Sequence, residues 1–170
     1  MQILKANIDH SDLIIELGRQ TFIESHGHSA SIEDITCFNN KTYNKEILQK
    51  EFQDPNIQYH IIYYRGKAAG FSKIESYASN KYIKDIDVSK LDRIYLLTEF
   101  YHLGLGSKLL EYNIKLSKKE IQKGIWLAVW TENARAIKFY CKMGFKILGA
   151  HSYEISPTHS NPNHIMYLEY

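Results

Sequence analysis

Leu91-Asp92-Arg93-Ile94-Tyr95-Leu96-Leu97, followed by Thr98-Glu99-Phe100-Tyr101-His102-Leu103 and then Gly104-Leu105-Gly106-Ser107-Lys108, is the stretch that decides how the chain is read. Its first part is a β-rich apolar run and reads as a strand. From Gly104 onward, Leu105, Leu109, Leu110, Ile114 and Ile121 recur at helical spacing, which predicts a long helix with those residues inward. A strand that feeds a glycine-rich turn into a helix start presents unpaired N–H groups at the positive end of the helix dipole, a natural seat for phosphate. Two familiar phosphate motifs are excluded. A dinucleotide fingerprint needs a third glycine where Leu109 stands, and a P-loop needs glycine where Tyr101 stands and no Ser107 before Lys108. At this point a flexible turn opening an ordinary packed helix also accounts for the pattern.

Working outward, the upstream chain predicts a short strand over 2–7 and a helix from about Ser11 carrying Leu13, Ile14, Leu17, Phe22 and Ile23. Short helices are expected over Ser31–Asn39 and Asn44–Gln53, the second ended by Asp54-Pro55-Asn56. Tyr59–Tyr64 and Ala68–Ser76 flank Arg65-Gly66-Lys67 as a hairpin, and a polar stretch runs to Lys90. Downstream, Ile125–Val129 reads as a strand, Asn133–Met143 as a helix stopped by Gly144, and Phe145–Ile155 and His164–Glu169 as closing strands. Pro55, Pro157 and Pro162 fall in stretches that read as loops. The alternation predicts a mixed α/β or α+β fold, residues 1–170 forming one domain.

Composition narrows the functional classes. With 44% hydrophobic and 24% charged residues in a 170-residue chain, neither a disordered tail nor a multidomain machine is expected. The 21 basic and 19 acidic residues leave +2, too little to hold a nucleic acid by counterion release. Cys37 and Cys141 have no CxxC partner, so neither zinc nor a disulfide framework is indicated and a reducing cytoplasm fits. No signal-peptide pattern or apolar run of about 18 residues occurs, which predicts a soluble protein without a membrane partner. The 13 tyrosines suit either a pocket lining or a half-buried sheet.

A second cluster, Asn133-Ala134-Arg135-Ala136-Ile137-Lys138-Phe139-Tyr140-Cys141-Lys142-Met143-Gly144-Phe145, sets asparagine, alanine, an aromatic pair and Gly-Phe at fixed offsets. Together the two clusters resemble the GCN5-related N-acetyltransferase superfamily. Its motif Gln/Arg-x-x-Gly-x-Gly/Ala is met at Gly104 and Gly106, with Tyr101 in the first place. Its motif Asn-x-x-Ala-x-x-Phe/Leu-Tyr-x-x-x-Gly-Phe is met at Asn133, Ala136, Phe139, Tyr140, Gly144 and Phe145 without departure. The run Arg93-Ile94-Tyr95-Leu96, the segment Gln20-Thr21-Phe22 and the ending His164-Ile165-Met166 look most like the bacterial spermidine/spermine branch.

The resemblance implies a mostly antiparallel sheet with a splayed central strand, flanked by helices, and acetyl transfer from acetyl-coenzyme A to an amine without a metal. It implies that main-chain amides near Ile94, Tyr95 and Leu96 serve the thioester. The turn of His102, Leu103, Gly104, Leu105, Gly106, Ser107 and Lys108 then serves the pyrophosphate, where Tyr101 removes one side-chain contact. Asn133 is a cofactor contact, an ordinary helix N-cap, or both. Tyr140 is the expected general acid, donating to the departing thiolate, although the Phe139-Tyr140 pair also suits simple packing.

The attacking amine needs a base, and no motif assigns one. Glu75 and Asp92 are candidates, and Glu24 could attract a cationic substrate; solvated surface acids are the alternative for each. His26-Gly27-His28 lacks a third ligand at a diagnostic spacing and reads as a plain loop, in a region that lines the acceptor site in this family. Cys141 reads as a small buried hydrophobe. The acceptor expected is a small polyamine such as spermidine or spermine, attacked within a ternary complex. The alternatives are a protein N-terminus or lysine, and a non-catalytic acyl-coenzyme A binding module. Homodimers are common in the family, but nothing in the sequence itself specifies one.

Overall fold

The computed structural model describes residues 1–170. Strands β1 (Gln2–Lys5), β2 (Ile57–Tyr64), β3 (Lys67–Glu75), β4 (Ser89–Leu96), β5 (Gly124–Trp130), β6 (Lys146–Ser156) and β7 (His159–Glu169) form one sheet in the order β1-β2-β3-β4-β5-β7-β6. Helices α1 (Ser11–His26), α2 (Ile32–Thr42), α3 (Lys45–Gln53), α4 (Leu105–Lys119) and α5 (Ala134–Lys142) flank it. Every strand pair is antiparallel except β4–β5, so the α/β fold expected from the sequence is observed. No helix is long and apolar enough to cross a membrane.

Local chemistry sets the boundaries. Ser31 and Asn44 accept the Asp34 and Ile47 amides at 3.1 and 3.0 Å, capping α2 and α3. The β2–β3 turn places Arg65 and Gly66 at φ +49° and +79°, the left-handed pair that a two-residue hairpin requires. One core packs α1–α3 on the early strands around Ile14, Tyr43, Leu48, Ile61 and Phe71; a second gathers Leu110, Ile125, Leu127, Tyr140 and Met166.

Three expectations are corrected. Ile121 is not part of the inward stripe of α4: it is 81% exposed, and φ is +60°. The Gln122 amide bonds the Ser117 carbonyl and the Ile121 amide the Lys118 carbonyl, a Schellman-type stop with isoleucine where glycine is usual. Pro162 lies within β7, paired with Ser152 of β6. It is tolerated because the β5 register ends at Trp130↔Asn163, leaving no ladder bond for its missing N–H. Cys141 is exposed, since Tyr140 takes the inward position of α5.

The feature that builds a site lies between β4 and β5. They pair only at Ser89↔Ile125 and Lys90↔Trp126, then part. On the other edge of β4, Arg93 faces Lys73 while Leu91 faces Ile74, so Asp92 is the extra residue of a β-bulge that turns the strand away. Buried polar pairs pin α4 over this region: Asn113 Nδ2 donates to Ser72 Oγ at 2.9 Å, and Ser117 and Ser89 hydroxyls meet at 2.8 Å where β4 and β5 are still joined.

Candidate active site

The parted ends of β4 and β5 open into a cleft of about 520 Å³, closed by α1, α2, the start of α4, α5 and the β6–β7 hairpin. The Leu97 amide bonds the Ala69 carbonyl at 3.0 Å, and Tyr95 and Ile94 face Phe71 and Ser72 in register. Antiparallel alternation therefore commits the Tyr95 amide to β3 and turns the Ile94 and Leu96 amides toward the gap, where no strand receives them. Of the three residues singled out on this strand, two offer main-chain donors to the cleft.

Below the gap, Gly104 adopts φ +73° as the N-cap of α4 and supplies no side-chain cap. The Leu105, Gly106 and Ser107 amides have no acceptor in the chain; the first helical bond into Gly104 comes from Lys108 at 3.2 Å. His102 is also left-handed, at φ +64°. A Cβ on Gly104 would meet nothing within 4 Å, so the glycine serves conformation and not space. These free donors around an open concavity suit a diphosphate. His102, Gly104, Leu105, Gly106 and Ser107 line the cleft, whereas the Leu103 and Lys108 side chains lie outside the lining, and Lys108 pairs with Glu111 at 3.3 Å.

On α5, Asn133 lines the cleft and caps its helix, accepting the Ala136 amide at 3.1 Å. Arg135 stacks over the Tyr101 ring, 3.8 Å from its centroid, and both border the cleft. The aromatic side chain that replaces Gln/Arg at 101 thus holds a guanidinium brought from another helix. The Tyr140 phenol is buried in the cleft wall, packed on Phe139 and Phe145 at 5.2 and 5.6 Å between centroids, and burial pushes its pKa well up.

The opposite wall is built from side chains. At the bulge, Asp92 meets Lys90 at 2.6 Å, Lys73 at 3.2 Å and Arg93 at 3.4 Å, and Lys73 also meets Glu51 at 2.5 Å. Arg93 donates to the Tyr59 hydroxyl at 3.3 Å and lies over the Tyr43 ring at 5.2 Å. Burial alone would raise the Asp92 pKa, but Arg93, Lys73 and Lys90 overrule it and hold the carboxyl well below its ordinary range. Asp92 is the one carboxylate lining the cleft. Its firm ion pairing leaves it ill-suited to take a proton near neutral pH.

Glu24 and Glu75 lie outside the lining. Glu24 accepts the Thr98 amide at 2.8 Å and tethers the segment before α4 to α1. Glu75 closes β3 opposite Ile57 and Lys90.

Sequence reasoning singled out neither Tyr43, Arg93, Tyr153 nor Trp130 and gave His26 only as part of a loop in the acceptor-lining region; all five are in the cleft. His26 is the last residue of α1 and not part of a loop. No three His, Cys, Asp or Glu side chains converge there as a metal-ligand set. Five of the tyrosines, Tyr43, Tyr95, Tyr101, Tyr140 and Tyr153, face the cleft, so part of the surplus does line a pocket.

This combination of a split β4–β5 pair and an amide-lined helix start has matches among known proteins. The model of the Acetyltransferase (GNAT) family matches residues 20–145, and the chain belongs to that family. It is an N-acetyltransferase, as its relatives are named. An uncharacterized N-acetyltransferase of Lactobacillus delbrueckii is 30% identical over 137 residues, 81% of this chain and 79% of the relative. The spermidine N(1)-acetyltransferase of Thermoplasma acidophilum is 26% identical over 151 residues, 86% and 89% of the two chains. The fold superposes on the PaiA N-acetyltransferase of Thermoplasma acidophilum, solved with coenzyme A, with a TM-score of 0.79 at 24% identity, over 99% and 98% of the two chains.

Proposed function

We propose that the enzyme transfers acetyl from acetyl-coenzyme A to a primary amine by direct attack in a ternary complex, with Tyr140 as general acid. The observation that carries this reading is one arrangement: free amides of Ile94, Leu96 and the α4 start border a cleft whose wall holds a buried phenol. The α4 amides would bind the diphosphate, while Asn133 and the Arg135–Tyr101 stack border the same cleft. The Ile94 and Leu96 amides would polarise the thioester carbonyl and receive the charge that develops on its oxygen during attack. Kept protonated by burial, Tyr140 would hand its proton to the departing sulfur.

For the acceptor, the likeness to a spermidine acetyltransferase supports a small polyamine. With Asp92 matched by three cations, a polyamine would be held by aromatic faces and tyrosine hydroxyls instead of an acidic cluster. The test is release of free thiol from acetyl-coenzyme A across spermidine, spermine, monoamines and peptides with free N-termini. Turnover with at least one amine, lost in Tyr140→Phe, supports the reading; coenzyme A binding without turnover would make the chain a non-catalytic acyl carrier site.

A further inference from the structure

Resting on that acetyl-transfer reading, the geometry points to His26 as the group that takes the proton from the attacking amine. Its ring spans the mouth of the gap, 6.2 Å from the Tyr95 ring on β4 and 5.8 Å from the Trp130 ring on β5, and it stacks on Phe22 at 4.9 Å. A thioester lying between the parted strands therefore has an imidazole at its open side.

The tautomer follows from hydrogen-bond accounting. The Ser25 hydroxyl has one hydrogen, directed to the Thr21 carbonyl at 2.7 Å, and a carbonyl can only accept. The 2.7 Å contact between Ser25 Oγ and His26 Nδ1 must then have Nδ1–H as donor, which leaves the lone pair on Nε2. Nε2 makes no hydrogen bond in the chain, and it is not sealed from solvent as both His60 nitrogens are. Burial, with a further contribution from His28, lowers the His26 pKa to about 4, so the ring is neutral at physiological pH, a weak base suited only to the ammonium that attack on the carbonyl carbon makes acidic. The titratable groups facing it are Tyr95 from β4 and His28 from the turn after α1, with Phe22 and Trp130 as apolar walls.

In the step, the amine lone pair forms the N–C bond while the carbonyl π pair moves to oxygen. The N–H electrons stay on nitrogen as its proton passes to Nε2. Reforming the carbonyl breaks C–S, and the sulfur takes the Tyr140 proton, giving amide and thiol. The proton on His26 returns to the tyrosinate through solvent, restoring both groups.

His26→Gln keeps a polar group of similar reach that cannot be protonated. It should lower kcat on the order of 10²-fold with coenzyme A affinity unchanged by calorimetry. His26→Ala should regain turnover when imidazole is added, which a merely structural role would not allow. Nitrogen NMR of the wild type at pH 7 should find Nδ1 protonated and Nε2 bare. Turnover of His26→Gln within about threefold of wild type, or a proton on Nε2, overturns the assignment while acetyl transfer stands. Silence of the wild type with every amine overturns the acetyl-transfer reading and this assignment with it.

Discussion

The two walls of the cleft are made of different material. The wall from Leu96 to Ser107 is chiefly main chain: amides freed by a parted strand and by a helix that begins on a left-handed glycine. The facing wall is side chain, with His26 from α1, Tyr43 after α2, Arg93 from β4 and Tyr153 from β6. A main-chain wall tolerates most substitutions and suits what is constant in a ligand, which under the proposed function is a diphosphate. A side-chain wall can be altered residue by residue and suits what varies, the acceptor.

Tyr140→Phe, at the junction of the walls, should have the largest effect, a fall of 10² to 10⁴ in kcat with little change in coenzyme A affinity. Parallel losses of binding and turnover would mean that the phenol serves only packing. Asp92→Asn strips Lys73, Lys90 and Arg93 of their shared counter-charge and should cost about 3 to 5 kcal/mol, read as a lower denaturant midpoint. An unchanged midpoint would show the side-chain wall to be less dependent on that bulge than its geometry implies.

Acid should discriminate next. His60 is fully buried beside Tyr112 with both ring nitrogens unpartnered, and burial lowers its pKa from 6.5 to about 4. The unfolded chain binds a proton there below pH 6.5 and the folded chain only near pH 4, so stability falls as pH drops through that window and levels off beneath it. The loss is on the order of 3 kcal/mol, and denaturation of His60→Phe at pH 7.5 and 4.5 should show a smaller difference than wild type.

Gly104→Ala meets no steric obstacle, so its cost should be only the left-handed strain, about 1 to 2 kcal/mol, with a matching loss of coenzyme A affinity if the turn opens. Smallest is Arg135→Gln, expected to weaken coenzyme A by a few-fold through loss of the stack on Tyr101, about 0.5 to 1 kcal/mol. If Tyr101→Ala weakens binding equally and the double variant no further, the pair acts as one unit.

The main-chain wall was readable in the order of residues because its requirements are local. Gly104 and Gly106 act through the backbone and Asn133 through a side-chain cap three residues away, and a strand, a turn and a helix start are adjacent in the chain. Asp92 was visible as a candidate base, but Lys73 arrives through strand register and, with Lys90 and Arg93 of its own strand, turns it into an ion-pair centre. His26 lay hidden because a Gly-flanked histidine pair reads as a loop, whereas α1 runs on through residue 26 and delivers the ring to Trp130, over a hundred positions later.

What the order of residues determined by itself was the alternation of strands and helices, the position of the glycine-rich turn and the phenol on α5. Hydrophobic period, glycine placement and capping act within a few residues, and a single chain suffices to read them. The angle at which β4 leaves β5, the pairing of Asp92 with Lys73 and the placing of the His26 ring beside Trp130 were decided only in the tertiary structure. Each depends on partners brought from distant segments into a medium of low dielectric, where burial and contact, not sequence distance, set the energies.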